Sequence, residues 1–228
     1  MLACVRGLKK APRMSRTPQT FVLVKECRLT FFQNYLAPEV ESELLRKLLG
    51  DFDFEQRSIS LFGRRVMQPR LIAWGGEPSY RYSGDTLKPR QLSSAAQALL
   101  EQVNQTLSEE SPDAPPFNHI LANLYRDESD SMGAHSDDER ELGSTPTIAS
   151  LSLGAERELR LRLKKKFTNA DGGDPRAKTS SSALNLRLTS GSLLLMHPPT
   201  QKYFLHSVPK QKKVVAQRLN LTFRALLA

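Results

Sequence analysis

His135, Asp137 and His206 are the side chains of this sequence best suited to hold a metal ion. Two imidazoles and one carboxylate can occupy one face of an octahedral metal and leave the opposite positions open, as non-haem Fe(II) oxygenases require. On extended backbone, residues two apart point the same way, so His135 and Asp137 can act together while His206 arrives from a distant strand. Arg218-x-Asn220-x-Thr222-Phe223-Arg224 begins twelve residues after His206. Guanidinium pairs bidentately with carboxylate, so this segment can anchor a dianionic organic acid beside the metal. The two features together point to Fe(II), 2-oxoglutarate-dependent oxygenase chemistry.

Each feature also has a plain structural reading. A His-x-Asp pair alone is more often a surface turn than a ligand pair. The sequence holds four histidines, of which His119 fits a core strand and His197, before Pro198 and Pro199, fits a strand end. On the last strand Leu219, Leu221 and Phe223 face one way and Arg218, Asn220, Thr222 and Arg224 the other, which would also suit an edge strand with a solvated face. Arg218 and Arg224 lie roughly 20 Å apart on a straight strand at ~3.3 Å per residue, longer than 2-oxoglutarate. Which arginine meets which carboxylate stays open at this point.

The 228 residues suit one large domain, and an apolar share of 39% is enough for a core. No apolar run approaches the ~20 residues of a membrane helix. The net charge of +9 favours polyanionic partners. Cys4 and Cys27 fit a reducing compartment better than a disulfide framework. Residues 1–20 are expected to form a basic, disordered arm, and 21–228 one catalytic domain. Within that domain, 21–116 carry helices and a lid and 117–228 the β core.

Helices are expected over Pro38 to Leu49, ended by Gly50, and from Pro89 to about Leu107 with Leu92, Ala96, Leu99, Leu100 and Val103 on one face. Ser58 to Ser83 reads as short strands and turns. After Pro116, period-two alternation marks strands near 118–125, 147–154, 158–163, 184–188, 192–197, 205–208 and 218–226. Lys164 to Ser182 reads as an exposed hairpin loop. The expected fold is mainly β with flanking helices: a double-stranded β-helix, or jelly-roll, core.

"NLY" at Asn123, "HSDDEREL" at His135, "IASLSLGA" at Ile148, "HSVP" at His206 and "RLNLTFR" at Arg218 resemble the AlkB family of direct-reversal dealkylating dioxygenases. The resemblance runs from about Ser58 to the C-terminus and is strongest to the branch that repairs duplex DNA. It implies Fe(II) at His135, Asp137 and His206, and 2-oxoglutarate contacts from Asn123, Tyr125, Arg218, Asn220, Thr222 and Arg224. It adds an N-terminal nucleotide-recognition lid to the fold and places Tyr80, Arg81 and Tyr82 in it. Asp138 and Glu139 are implied at the substrate edge, where acidic side chains favour the positive charge that N-alkylation fixes on a base.

The resemblance makes Phe62-Gly63-Arg64 a hairpin that pushes a phenylalanine into the gap left by a flipped base, with Arg64, Arg65 and Arg70 nearby for phosphates or the opposite strand. An apolar wedge replaces part of the stacking lost when a base leaves the duplex. Two basic clusters, Lys164, Lys165, Lys166, Arg176 and Lys178, and Lys210, Lys212 and Lys213, correspond to regions that grip the DNA backbone. The implied reaction is oxidative dealkylation of 1-methyladenine, 3-methylcytosine and, by extension, etheno adducts in duplex DNA. The implied setting is a monomer in the nucleus with no membrane partner. Competing readings are a relative acting on single-stranded DNA or RNA, a protein hydroxylase, and a non-catalytic nucleic-acid-binding jelly roll.

Overall fold

The computed structural model describes residues 17–61, 64–77, 79–82, 85–168, 181–213 and 216–227. Strands β1 (Gln19–Val22) and β2 (Arg28–Phe32) precede helix α1 (Pro38–Asp51). A hairpin of β3 (Ser58–Leu61) and β4 (Arg64–Met67), then β5 (Leu71–Gly76), then a second hairpin of β6 (Tyr80–Tyr82) and β7 (Asp85–Leu87) lead to α2 (Ser94–Glu110). After it come β8 (His119–Tyr125), β9 (Met132–His135), β10 (Ile148–Gly154), β11 (Arg157–Leu163), β12 (Ala183–Leu188) and β13 (Ser192–Met196). The short helix α3 (Thr200–Tyr203) runs directly into β14 (Phe204–Val208), and β15 (Arg218–Arg224) is last. Of the expected arm over residues 1–20, the part up to residue 16 lies outside the described residues, while Gln19 and Thr20 are ordered as the start of β1, paired with Phe31 and Thr30.

Seven strands form the larger sheet in the order β1-β2-β13-β10-β15-β8-β5, and four form the smaller, β12-β11-β14-β9. The named pairs in both sheets are antiparallel. The two sheets face each other across one apolar cluster, with Leu121, Leu194 and Met196 from the larger and Leu159, Leu161, Leu186 and Phe204 from the smaller. Helices α1 and α2 cover the outer face of the larger sheet through Leu44, Leu48, Leu99 and Val103, packed against Leu151, Leu195, Leu221 and Phe223. Burying each such Leu or Phe contributes about 1.5–3 kcal/mol. The architecture is a jelly roll backed by helices.

All seven stretches with period-two alternation are strands, their ends displaced by one or two residues. β15 is not an edge strand: it pairs with β10 on one side and β8 on the other, and all seven of its residues are buried. Helix α2 starts five residues later than the proline signal predicts. Arg90 exchanges backbone hydrogen bonds with Gly76 at 2.8 and 3.2 Å, which holds that stretch extended. Ser93 then caps the helix by accepting from the Ala96 N–H at 3.3 Å. Gly50 does not stop α1, which continues through Asp51.

β1, β2 and β9 were not expected as strands. β2 pairs with β13 and β5 with β8, so segments from before Pro116 complete the larger sheet of the β core.

Candidate metal and co-substrate site

The two histidines meet because β9 and β14 are neighbours in the smaller sheet, with His135 directly opposite His206. Their ring centroids are 4.2 Å apart. The His135 Nδ1–H donates to the Gly133 carbonyl at 2.9 Å, which leaves Nε2 with a free lone pair. Asp137 follows β9 and is buried, with Oδ2 3.7 Å from His206 Nε2. One ligand atom from each of the three residues lies within 4.8 Å of the other two. Side-chain torsions alone can bring such a set onto one ion, whose cis ligands stand ~3 Å apart at bonds of ~2.1 Å.

Their protonation suits a metal as well. Burial alone would raise the Asp137 carboxyl, but the Arg224 guanidinium and the two imidazoles beside it pull its pKa down to about 2. Burial, then His135, push His206 down to about 3, and loss of hydration lowers His135 too. At neutral pH the set is therefore a carboxylate and two neutral imidazoles, the ligating forms. Arg224 donates from Nη2 to Asp137 Oδ1, and the Asp137 N–H donates to Gln201 Oε1 at 3.0 Å.

Arg224 thus stands at the metal end of a cavity that runs along β15. Register on β8 places Asn123 opposite Asn220 and Tyr125 opposite Arg218. The cavity is lined by these residues with Thr222, Ser150, Leu159, Leu188 and the three metal-binding candidates. Asn220 is held in place by bonds from Ser150 Oγ (2.8 Å) and to Thr222 Oγ1 (2.9 Å). At the far end Arg218 donates from Nη2 to Ser152 Oγ at 2.9 Å and to Asn220 Oδ1 at 2.7 Å. Its Nε and Nη1 are buried and find no hydrogen-bond partner among the described residues. A buried cation with spare donors suits a carboxylate. Burial lowers the Arg218 pKa to about 10, with Tyr125 opposing the fall and Arg157 adding to it.

Both arginines line this one cavity, Arg224 beside Asp137 and Arg218 beside Ser152 and Asn220, so they do not converge on a single point.

A broad groove of about 760 Å3 opens beside His135 and Met132, which also line the cavity. Its lining includes the carboxylates of Asp138, Glu139 and Glu141, the guanidiniums of Arg70 and Arg140, and apolar Ile59, Val66 and Met67. Arg70 lies between groove and cavity, buried, with Nε donating to Asn123 Oδ1 at 2.7 Å. Arg64 is exposed on β4, opposite Leu61. Phe62 and Gly63 lie outside the described residues, as do Arg176 and Lys178. Tyr80, Arg81 and Tyr82 form β6, paired with β7.

Lys164 departs from its expected role on an exposed basic loop. Its ammonium donates to Ser136 Oγ and the Gln201 carbonyl, each at 2.9 Å, and stands 3.6 Å from Asp138. It braces the turn that carries Asp137, because the end of β11 lies beside that turn. Lys210, Lys212 and Lys213 are exposed. His197 is structural as expected: Thr30, Ser111 and Arg28 surround its ring nitrogens at 2.9–3.2 Å.

Sequence reasoning missed Gln201 and Arg157. Nothing in the pattern marks Gln201. Arg157 shares its parity with Leu159 and Leu161, and that alternation could have shown it pointing inward.

The model of the 2OG-Fe(II) oxygenase superfamily matches residues 28–224, most of the chain and the whole of the site. The chain belongs to that superfamily. Its cofactors are accordingly Fe(II) and 2-oxoglutarate, and the site's ligand set and spare guanidinium donors fit both. This oxygenase is 38% identical to the DNA oxidative demethylase ALKBH2 of Mus musculus over 171 residues, 74% of this chain and 66% of that one. It is 36% identical to the alpha-ketoglutarate-dependent dioxygenase alkB homolog 3 of Rattus norvegicus over 204 residues, 87% of this chain and 64% of that one. ALKBH2 of Homo sapiens matches at 35% over 89% of this chain and 74% of its own. Within the superfamily the chain is thus one of the AlkB homologues. It spans just under two thirds of the length of the first two relatives. A solved structure of OsALKBH1 shares the fold, with a TM-score of 0.55 and 17% identity over 86% of this chain and 96% of that one.

Proposed function

We propose that this oxygenase removes alkyl groups from N-alkylated bases of DNA, with 1-methyladenine and 3-methylcytosine as substrates and etheno adducts as further ones. The observation that carries the reading is the meeting of two unlike pockets at His135: a cavity bearing Arg218 and Arg224 for a dicarboxylate, and a wider groove that presents Asp138, Glu139 and Glu141, among other residues, to a cationic base. Both relatives named ALKBH2 are called DNA oxidative demethylases, which points the same way.

Fe(II), with 2-oxoglutarate and O2, supplies oxidation of a C–H bond and leaves succinate and CO2. The protein supplies placement. His135, Asp137 and His206 hold the metal, and Arg224 sets both the Asp137 carboxylate and the near end of the co-substrate. Arg218, Tyr125, Asn123, Asn220 and Thr222 hold the remainder of the acid. Asp138 and Glu139 favour the positive charge of an N-alkylated base edge, and Tyr80 and Tyr82 stack on that base, at ~1–3 kcal/mol per stacked base. Once the alkyl carbon attached to nitrogen is hydroxylated, it leaves as an aldehyde.

Residues 21–228 act as one catalytic domain in which hairpins β3–β4 and β6–β7 form the lid, with Phe62, which falls between β3 and β4 in the sequence, as a wedge in duplex DNA. Gly63 and Arg81 belong to this lid and Arg64 meets phosphate, whereas Arg70, buried against Asn123, borders the groove rather than the nucleic-acid backbone. The enzyme works as a monomer on nuclear DNA. Formaldehyde release from matched single- and double-stranded oligonucleotides carrying 1-methyladenine, with and without an iron chelator, tests the reading. Chelator-sensitive release is expected, greater with duplex, and Phe62→Ala is expected to lower duplex turnover selectively. No release from either substrate defeats the dealkylase reading, and equal losses on both defeat the wedge.

A further inference from the structure

Arg157 is wholly buried although it opens a strand, Arg-Glu-Leu-Arg-Leu-Arg-Leu, that otherwise alternates apolar and charged residues. Its guanidinium reaches three backbone carbonyls from two separate loops. Nη2 donates to Asp130 and Pro209, both at 2.7 Å, and Nη1 to Asp127 at 3.2 Å. Asp127 and Asp130 lie just after Tyr125, and Pro209 lies three residues after His206. The same guanidinium stands 5.3 Å from the Tyr125 ring centre, and that of Arg218 stands 5.1 Å from it. Neither arginine makes an ion pair with a carboxylate among the described residues. Arg157 Nε, like Arg218 Nε and Nη1, is buried without a hydrogen-bond partner there.

Asp127 and Asp130 offset part of the Arg157 charge and Tyr125 faces Arg218, yet neither guanidinium is paired directly with a carboxylate among the described residues, so an anion entering beside them would be held strongly. Across from Arg157 on β12 is Leu188, which lines the co-substrate cavity. The surplus charge therefore sits at the end of the cavity farthest from Asp137. Lysine could not replace this arrangement, because one ammonium cannot reach three carbonyls in a fixed plane while lying against a ring.

We propose that Arg157 is a positioning residue for the far carboxylate of 2-oxoglutarate, acting through Tyr125 and Arg218. It clamps the loop after β8 to the loop after β14, which fixes the Tyr125 ring. Its charge adds to that of Arg218 where the distal carboxylate lies. The inference rests on the co-substrate reading of the cavity and extends it to a residue outside the cavity lining.

Calorimetric titration of the Mn(II)-loaded protein tests this without turnover. The ligands are 2-oxoglutarate and 2-oxopentanoate, which carries a methyl group where the distal carboxylate would be. Arg157→Lys and Arg157→Met are each expected to weaken 2-oxoglutarate binding at least tenfold, with 2-oxopentanoate and Mn(II) affinities changed less than twofold. Unchanged 2-oxoglutarate affinity overturns the proposal, and so does an equal loss for both acids, which would mark a general packing role. Absence of a cooperative thermal transition in both variants assigns Arg157 to fold maintenance and also overturns it. Failure of the unsubstituted protein to bind 2-oxoglutarate defeats the co-substrate reading itself, a separate result.

Discussion

Arg224 and Asp137, 87 residues apart in the chain, share a buried hydrogen bond at the metal end of the cavity. The guanidinium does two things at once. It keeps the carboxylate ionised against burial and also lowers the pKa of both neighbouring imidazoles. Replacing Arg224 with methionine should therefore raise all three ligand pKa values. Because metal binding requires the deprotonated ligands, the acid limb of Mn(II) binding should move to higher pH. A titration series from pH 5 to 8 in which the midpoint stays put would refute this.

Gln201 holds the Asp137 N–H, and both partners are buried. Gln201→Leu strands that donor, at a cost of about 1–3 kcal/mol. Urea unfolding of the metal-free variant should show a loss of this size together with weaker Mn(II) binding. Intact stability and metal affinity would mean that the glutamine is idle.

His197 lies away from the cavity, and burial together with Arg28 lowers its pKa to about 4. The unfolded chain then binds more protons than the folded one between roughly pH 6.5 and that value. The histidine's contribution is complete above the unfolded pKa and declines as the pH falls toward the folded one. Each fully titrating histidine of this kind contributes a slope of about 1.4 kcal/mol per pH unit. His197→Asn should be less stable at pH 7.5, through its lost bonds, yet show a shallower decline between pH 6 and 4.5. Parallel stability curves for the two proteins would contradict this assignment.

Lys164 and the exposed Lys212 and Lys213 should separate in salt dependence. If the exposed pair neutralises phosphates, Lys212→Gln and Lys213→Gln should each reduce the log–log salt slope of oligonucleotide binding by about 1. Lys164→Gln should leave the slope unchanged, because its ammonium is committed to Ser136 and the Gln201 carbonyl. Its effect belongs in turnover, through the turn that bears Asp137. Equal slope changes in all three would place Lys164 on the DNA after all.

Much of the site was legible because its residues carry rare chemistry at short spacings. His135 with Asp137, and the alternation from Arg218 to Arg224, each put several functional groups within one stretch whose geometry the strand period dictates. Strand β9 was hidden because Met-Gly-Ala-His has neither alternation nor β-branched residues, and pairing with β14 supplies what its own propensity lacks. The start of α2 was misplaced for a similar reason: a long-range pairing of Arg90 with Gly76 overrides a local proline signal.

Residue types and their order were enough to determine the ligand chemistry, the superfamily's cofactors and the β-rich class of the core. Tertiary structure alone decided that Arg218 and Arg224 line one cavity at different points, that Lys164 turns inward, that Arg157 ties the loops after β8 and β14, and that Gln201 holds the Asp137 N–H. Those roles depend on which strands lie side by side. Adjacency across a sheet joins residues dozens of positions apart, and no local period records it.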